Sequence, residues 1–328
     1  MGQENLHTKK DITVIGLAIM DMLVGPVTPR VFEIGSLPVK DMRFSFGGDA
    51  LNEAIALTRM GKRVELVSKL GLDDTGDRII DGMKREGLTV DRIRRENGLQ
   101  TSMNIVLVDE QGERYFLTNP EGSLRKLAEK DVEYCIEEAA DIVSFAGMFV
   151  SPLLDIPAME RLFDKIKKKP DRILVVDMTK AKQGERLKDL YGLLTYIDYF
   201  LPNAEEIALL TGEKDPYRNA ELLIEAGVGC AVIKCGADGC LIRTKEICMQ
   251  IPAYPVKHVV DTTGAGDCFA AGFLWGLSQK MPLQACGQMA CAVASCSVEQ
   301  MGAVNGIQSI EKPIRRYHEI IKNNTEGS

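Results

Sequence analysis

Apolar runs rich in β-branched residues alternate along the chain with stretches in which apolar residues recur at helical spacing. This alternation is typical of a parallel β-sheet covered by helices on both faces, so we predict an α/β fold. The predicted strands are 12–17, 63–68, 141–146, 172–177, 197–201 and 229–235, and the predicted helices are 49–60, 74–86, 157–169, 204–211, 216–226, 265–278 and 282–298.

Two segments interrupt the alternation and are predicted to form β structure outside the main sheet. Residues 18–46 contain short, weakly alternating runs broken by proline and glycine, and 101–118 has the pattern of an extended hairpin that turns at Gln111 and Gly112. Neither suits a doubly wound core, so we place 18–46 and 101–119 together as a small β-rich lid. The core then comprises residues 1–17, 47–100 and 120–328.

The composition is that of an ordinary globular protein, with 45% hydrophobic and 27% charged residues among 328, which excludes disordered, collagen-like and disulfide-scaffold classes. A net charge of −7 argues against nucleic acid as a partner. The longest uncharged run, between Lys280 and Glu299, contains proline and glutamines, so we predict a buried helix and no membrane segment. Nine cysteines lie in apolar runs such as 291–296, which predicts a reducing, cytoplasmic compartment.

The strongest chemical signal is DTTGAGD at 261–267, which precedes an apolar helix. It lacks the lysine of a P-loop and the three glycines of a dinucleotide fingerprint. The N–H groups of Ala265, Gly266 and Asp267, at a helix N-terminus, can point at an anion, which predicts a phosphate site. Because an aspartate repels phosphate, Asp267 suits another task, such as accepting a proton from an attacking hydroxyl. The alternative is that Asp267 only caps the helix.

A second group of candidate residues lies around the start of the first long predicted helix. Gly47 and Gly48 would let the backbone approach a ligand, and Asp49 and Asn52 fall three apart on one helix face. Asp21, after the first strand, is expected at the same place. Carboxylates and an amide suit a neutral polyol, whose hydroxyls both donate and accept hydrogen bonds. The alternative for Asp49 is an N-cap.

Two further signals are weaker when taken alone. Asn203 and Glu206 stand together at a helix start after a strand, where they could form a capping box or hold waters on Mg²⁺. Gly236 and Gly239 lie in a turn between two strands, which could be a plain hairpin. Neither pair identifies a function by itself.

Together, and in this order, the segments resemble the ribokinase-like carbohydrate kinases, also called the phosphofructokinase B family, over roughly residues 10–310. Four ordered matches are far more specific than any one of them. They are GG-x-x-x-N at 47–52, N-x-x-E at 203–206, the glycines at 236 and 239, and GAGD at 264–267.

The resemblance implies an ATP-dependent kinase that phosphorylates a hydroxyl of a monosaccharide or sugar acid. It also implies a three-layer α/β/α core with a mainly parallel sheet, and a lid that closes on the substrate and joins two copies in a homodimer. Asp267 would be the catalytic base, with the N–H groups of Gly264, Ala265 and Gly266 as the anion hole. Asn203 and Glu206 would organise Mg²⁺ and its waters.

The remaining candidate residues follow from the same resemblance. Asp261 and Thr263 match a loop that binds K⁺ in members that use a monovalent cation. The substrate-binding candidates are Asp21, Gly47, Gly48, Asp49 and Asn52, and the nucleotide-binding candidates are Asn203, Lys234, Gly236, Gly239 and Cys291.

The sequence departs from the family pattern at two places. Cys291 replaces an adenine-pocket asparagine found in many relatives, and the run from Asp177 to Lys180 reads DMTK instead of the more usual Asp-Pro-Asn followed by arginine. The second change touches a region that some relatives use near a substrate carboxylate. Acid sugars such as 2-keto-3-deoxygluconate are therefore included, with Lys180 as a candidate partner.

Other functions remain open at this stage. A nucleoside kinase on the same scaffold needs an aromatic residue for base stacking, and the lid offers Phe32, Phe44, Tyr115 and Phe116. A non-catalytic sugar-binding regulator has no use for a base beside a phosphate. A dehydrogenase is disfavoured because Gly16 stands alone after the first strand.

Overall fold

A computed structural model describes residues 9–111 and 113–326. Residues 1–8, at the start of the predicted core, and Gly112, in the predicted hairpin turn, lie outside the described residues. The strands are β1 (Ile12–Ile15), β2 (Ile19–Val27), β3 (Asp41–Gly47), β4 (Val64–Gly71), β5 (Ile93–Glu96), β6 (Met103–Asp109), β7 (Arg114–Thr118), β8 (Ile142–Met148), β9 (Ile173–Met178), β10 (Tyr199–Phe200), β11 (Cys230–Lys234), β12 (Cys240–Arg243) and β13 (Cys248–Ile251).

The main sheet has nine strands in the order β13-β12-β11-β10-β9-β8-β1-β4-β5. All neighbours from β11 to β5 pair in parallel, and β12 and β13 pair antiparallel at one edge. Every residue of β1 and of β4 is buried, as expected of parallel strands covered on both faces. The prediction of a mainly parallel α/β sheet is confirmed.

Helices pack on both faces of this sheet and form three layers with it. They are α1 (Asp49–Arg59), α2 (Asp74–Arg85), α3 (Glu129–Val132), α4 (Ile156–Lys167), α5 (Tyr191–Leu194), α6 (Ala204–Thr211), α7 (Pro216–Glu225), α8 (Ala265–Ser278), α9 (Leu283–Ser297) and α10 (Glu311–Glu326).

Two hydrophobic clusters form the core, one on each side of the sheet. One contains buried residues of α1, α2, α8 and α9, and the other contains residues of α4, α6 and α7. Along β1, Val14 belongs to the first cluster and Ile15 to the second, because successive side chains of a strand point to opposite faces.

A second sheet of four strands has the order β3-β2-β6-β7. It consists of strands from the two segments predicted as a lid, and we call it the lid sheet. Strands β2 and β6 pair in parallel at its centre, and β3 and β7 pair antiparallel at the edges. In the β6–β7 turn, the Asp109 carboxylate accepts hydrogen bonds from the N–H groups of Gln111 and Glu113.

The first strand is shorter than predicted because the chain leaves the main sheet at Gly16. This glycine has φ +154°, and a Cβ there would lie 2.6 Å from the carbonyl oxygen of Ala146. Three residues later the chain enters β2 of the lid sheet. None of the helices described in the structure is both long and apolar enough to span a bilayer.

Candidate active site

A cavity of about 320 Å³ lies between the main sheet and the lid sheet. Residues of β2, β3, β6 and β7 line it on one side, and the starts of α1 and α8 line it on the other. Two charged residues of the main sheet, Asp177 near the end of β9 and Lys234 at the end of β11, stand at the carboxyl edge of the strands. That edge is where open α/β sheets generally bind ligands.

The lid sheet presents a row of polar side chains to this cavity. Ser45, Asp21, Asn104 and Thr118 are paired in register across the four strands, and all four line the cavity. Thr118 Oγ1 donates to Asn104 Oδ1 at 2.8 Å, and Asn104 Nδ2 donates to Asp21 Oδ1 at 2.9 Å. Burial raises the pKa of Asp21 to about 6, although the Asn104 hydrogen bond opposes the shift. The row offers donors and acceptors side by side, as a polyol requires.

The double glycine before α1 is required by packing against the protein itself. A Cβ on Gly47 would lie 2.4 Å from Asp21 Oδ2, and a Cβ on Gly48, at φ +93°, would lie 2.5 Å from the carbonyl oxygen of Leu17. From the sequence, these glycines were predicted to let the backbone approach a ligand. In the structure they let the backbone approach Asp21 and the chain entering β2, and both also line the cavity.

Asn52 joins the start of α1 to the start of α8. Its Nδ2 donates to Asp267 Oδ2 at 2.7 Å. Its Oδ1 is buried and has no hydrogen-bond partner among the described residues. Asn52 is 4% exposed and lines the cavity.

Asp267 is not the cap of α8. The N-cap is Gly264, which is left-handed at φ +70°, and a Cβ there would lie 2.5 Å from Ala303 Cβ. Asp267 is the third helical residue and faces Asn52. Of the three N–H groups predicted to face an anion, that of Ala265 donates to Thr262 O at 3.2 Å, whereas those of Gly266 and Asp267 precede the first helical hydrogen bond.

Lys234 lies between the lid-side cavity and a second cleft. Its Nζ is 2.6 and 2.8 Å from the carboxylate oxygens of Asp177. A Cβ on Gly266 would lie 3.4 Å from the same Nζ, so the ammonium stands beside the N-terminus of α8. Burial opposes its charge, but Asp177 and Glu206 outweigh burial and raise the Lys234 pKa. Ammonium and helix N-terminus together suit a phosphate.

Carboxyl groups outnumber this ammonium at the same edge of the sheet. Burial raises the pKa of Asp49 to about 6, with Asp177 adding to the shift, and burial raises the pKa of Glu206 to about 7. Burial, followed by the charge of Asp49, also raises the pKa of Asp267 well above its ordinary value. Asp49 is the first residue of α1 and not its cap. Because these carboxyl groups are buried close together, the binding of a cation beside them would be favourable.

The second cleft, of about 670 Å³, contains three of the five predicted nucleotide residues. Asn203, Lys234 and Gly236 line it, together with Tyr217 and Gln250. The other two predicted residues lie elsewhere. Gly239 closes the β11–β12 turn, where a Cβ would lie 2.0 Å from Ile251 O, and Cys291 is buried in α9 within the core.

Asn203 and Glu206 form the capping box that the sequence left as an alternative. Asn203 N–H donates to Glu206 Oε2 at 2.9 Å, and Glu206 N–H donates to Asn203 Oδ1 at 2.8 Å. The pKa of Glu206 responds to the charges of Lys234, Asp177 and Asp49. The pair is therefore a cap that lies beside the carboxyl cluster.

Asp261 and Thr263 hold the loop before α8. Asp261 Oδ1 accepts from Thr263 N–H at 2.9 Å, and Oδ2 accepts from Gly302 N–H at 2.6 Å. The guanidinium of Arg114, from β7, is 2.5 Å from Oδ2. Burial would raise the pKa of Asp261, but these contacts hold it below its ordinary value.

Several polar or charged residues that line the cavity were not predicted from the sequence, and Lys180 is not among the lining residues. Asn104 and Arg114 line the cavity but belong to no motif, and only the alternation within the hairpin could have indicated that they face inward. Lys180 is largely exposed and lies 3.7 Å from Glu205, a residue of the second cleft. Lys182 instead lies close enough to Asp49 to oppose its rise in pKa.

The family model of pfkB carbohydrate kinases matches residues 9–310. The chain belongs to the pfkB family of carbohydrate kinases. Members of this family are phosphotransferases that act on a hydroxyl group and use ATP, and the enzyme class predicted from the sequence is confirmed.

Two curated relatives and one solved structure illustrate the similarity of this pfkB protein. An uncharacterized sugar kinase of Archaeoglobus fulgidus is 31% identical over 259 residues, 77% of this chain and 98% of the relative. The 2-dehydro-3-deoxygluconokinase of Haemophilus influenzae is 26% identical over 293 residues, 84% and 92% of the two chains. Ribokinase of Arabidopsis thaliana, solved with ribose and ATP, has a TM-score of 0.79 at 22% identity and covers 94% and 99%, which confirms the fold.

Proposed function

We propose that this pfkB protein transfers the γ-phosphoryl group of ATP to a hydroxyl of a monosaccharide or sugar acid held between Asp267 and the lid sheet. The observation that carries the proposal is the position of Asn52. One end of its amide holds Asp267, the other end is buried and without a partner among the described residues, and the residue lines the cavity. A hydroxyl that donates to Asn52 Oδ1 is thereby placed beside the carboxylate.

The chemistry follows from this placement. The acceptor hydroxyl passes its proton to Asp267 while its oxygen forms a bond to the γ-phosphorus, and the bond from that phosphorus to the β-phosphate oxygen breaks to release ADP. The raised pKa of Asp267 makes its ionised form a stronger base. The N–H groups of Gly266 and Asp267, with the ammonium of Lys234, would bind the phosphoryl oxygens.

The donor set fits Mg²⁺, which prefers oxygen ligands and keeps several of its waters. Asp177 and Glu206 bring two carboxylates next to the nucleotide cleft, and Asn203 adds an amide oxygen that already accepts from Glu206 N–H. Burial raises the pKa of Glu206 to about 7. When bound there, Mg²⁺ would neutralise charge on the phosphates. These residues would hold it largely through its waters.

The requirement for Mg²⁺ is tested by Glu206→Gln, because glutamine keeps the capping box but removes the charge. We expect an apparent Mg²⁺ constant raised about tenfold and an acceptor Kd unchanged by calorimetry. Glu225→Gln, at the exposed end of α7 and outside the cleft, is the control. An unaltered Mg²⁺ dependence in Glu206→Gln would leave Asn203 and Glu206 as a cap alone.

The cavity lining favours a sugar over a nucleoside. Of the four aromatic residues offered by the sequence for base stacking, Phe116 lines the cavity, whereas Phe32, Phe44 and Tyr115 are exposed outside it. Release of ADP should be measured over ketoses, aldoses, 2-keto-3-deoxy acids and nucleosides. The proposal requires that a sugar or sugar acid give the highest kcat/KM. Preference for a nucleoside would contradict it.

A homodimer through the outer face of the lid sheet is part of the proposal. Large apolar side chains are exposed there, among them Met42 at 62%, Tyr115 at 57% and Leu117 at 56%. A patch of this kind on a soluble surface is typical of an interface. Light scattering should give twice the chain mass for the wild type, and Tyr115→Lys with Leu117→Lys should give a monomer.

We place the protein in the cytoplasm. All nine cysteines are unpaired, and seven of them are buried in the core, so the fold relies on no disulfide. This is what a reducing compartment favours. Fractionation of the source cells, with the protein followed by antibody, tests the assignment.

A further inference from the structure

Arg114 is a charged residue of the cavity to which the catalytic scheme gives no task. It is the first residue of β7 and its side chain is 16% exposed. The guanidinium reaches across from the lid sheet to the core, where it meets Asp261 at 2.5 Å. It also lies close enough to Asp21 to oppose the rise of that pKa.

Both carboxylate oxygens of Asp261 already have partners in this arrangement. Oδ1 accepts from Thr263 N–H, and Oδ2 accepts from Gly302 N–H while it pairs with Arg114. The carboxylate side chain is 3% exposed. A K⁺ ion bound to it would replace these donors or stand beside the guanidinium, and like charges at contact distance repel strongly in a buried site. The residues therefore do not fit the monovalent cation expected from the resemblance.

Asp261 also determines the shape of the anion-binding turn. Through Thr263 and Gly302 it ties the loop before α8 to the loop that carries Ala303, and Ala303 is the residue against which Gly264 packs. Neutralising the buried carboxylate stabilises this arrangement, because an unpaired buried charge is costly. The group that neutralises it comes from the lid sheet.

We propose that Arg114 takes the place of a monovalent cation at Asp261, so that the enzyme works without K⁺ and its anion-binding turn is completed by the lid sheet. Arg114 is thus a positioning residue, acting on the phosphoryl site through Asp261. The inference rests on the proposed phosphoryl transfer for its catalytic consequence. Nucleotide binding and cation binding test it independently of any acceptor sugar.

The first test uses the wild-type protein. Turnover and the Kd for Mg·ADP, by calorimetry, are compared in potassium and tetramethylammonium chloride at equal ionic strength, and thallium(I) NMR probes monovalent-cation binding directly. We expect both values to agree within about twofold and no saturable thallium(I) binding. A K⁺ activation of about tenfold, or saturable thallium(I) binding, overturns the proposal.

The second test removes the guanidinium. Arg114→Ala should weaken Mg·ADP binding at least about tenfold in tetramethylammonium, the usual loss for a charged hydrogen bond, and K⁺ or guanidinium ion should recover part of it. The Mg·ADP affinity of Arg114→Lys, which keeps the charge, should lie between those of the wild type and Arg114→Ala. Arg43→Gln is the matched control, because Arg43 is another lid arginine but pairs with the exposed Asp41.

The outcomes are distinct. Unchanged ADP affinity in Arg114→Ala, or a loss that neither cation recovers, contradicts the proposal. If Arg114→Ala fails to fold, the wild-type salt comparison and Arg114→Lys still decide. If no sugar is turned over while ADP binding responds as expected, the proposed acceptor is wrong and the role of Arg114 stands.

Discussion

At the scale of single residues, the site depends on side chains that serve two partners at once. Asn52 holds Asp267 with its donor and leaves its acceptor to the cavity. Lys234 pairs with Asp177 and stands beside Gly266. Substitutions of these residues should therefore change both kcat and a ligand's KM or Kd. The relative size of the two changes shows which of the two contacts matters more.

Asp267→Asn keeps the size of the side chain but removes the proton acceptor. We expect kcat to fall by at least about 10², because loss of a general base typically costs 10² to 10⁴ in rate. The Kd for ATP should stay within a few-fold or tighten, since a negative charge is removed. Steady-state kinetics and calorimetry measure the two values. A near wild-type kcat would return Asp267 to a structural role.

Asn52→Ala removes the hydrogen bond to Asp267 and the oxygen proposed to accept from the substrate hydroxyl. The acceptor KM should rise about tenfold to a hundredfold, as expected for a lost bond to a charged or buried partner, and kcat should fall because Asp267 is no longer oriented. Asn305→Ala is the control, since that exposed amide donates to Met301 O. Unchanged acceptor affinity in Asn52→Ala would place the sugar elsewhere.

Glu53 gives the protein a pH dependence that is separate from catalysis. It is fully buried on α1 and accepts from Ser144 Oγ at 2.7 Å, and burial, with the charge of Asp177, raises its pKa well above the ordinary value. Between its unfolded pKa of about 4.3 and its raised folded pKa, the native state holds a proton that the unfolded state releases. The free energy of unfolding therefore falls as pH rises through that window.

Glu53→Gln, which has no proton to lose, should remove this slope. Relative to the wild type, the variant should gain up to about 1.4 kcal/mol per pH unit across the window. Urea unfolding of both proteins without ligands, at several pH values, measures the difference. Parallel stability curves for the two proteins would show that Glu53 does not hold the proton.

At the scale of elements, the sequence predicted what depends on local pattern. Buried strands and capped helices were found because apolar period and polar caps lie within a few residues of each other. The helix α10 (Glu311–Glu326) was not predicted. The early end of β1 could not be predicted, because a glycine is required at position 16 by the carbonyl of Ala146, which is distant in the sequence.

The same distinction applies to the candidate site. DTTGAGD and the double glycine are contiguous motifs, and their residues do meet at one cavity. Asn104 and Arg114 reach the cavity only because their strands pair within the lid sheet. The register of a parallel pair such as β2 and β6 cannot be deduced from the sequence of either strand. Lys182 was not predicted, because the direction of a loop side chain follows from tertiary packing.

Asp73 joins two elements and should therefore be worth more than an ordinary cap. Its carboxylate accepts from Gly76 N–H as the N-cap of α2, and also from the N–H and hydroxyl of Thr101, just before β6. Asp73→Ala should lower the free energy of unfolding by about 2 to 4 kcal/mol. Asp155→Ala, a cap of α4 alone, should cost about 1 kcal/mol. Equal losses by urea unfolding would contradict the second role.

At the scale of the whole molecule, the two sheets are joined by four passages of the chain, because β2, β3, β6 and β7 come from two separate segments. The reactive groups are divided between them. The base and the nucleotide cleft belong to the core, whereas the whole polar row and Arg114 belong to the lid sheet. Complete assembly of the site therefore requires both sheets in contact.

The register of the lid sheet also has a consequence for how substrate preference can change. One step out from the polar row lies a second row, formed by Leu23, Val106 and Phe116, again one residue per strand. An acceptor bound in the cavity would meet both rows, since residues of both line it. Substitutions in the outer row can therefore change the length or charge of the acceptor that fits the cavity, while the catalytic residues stay the same. A single substitution can thus be enough to change the substrate preference.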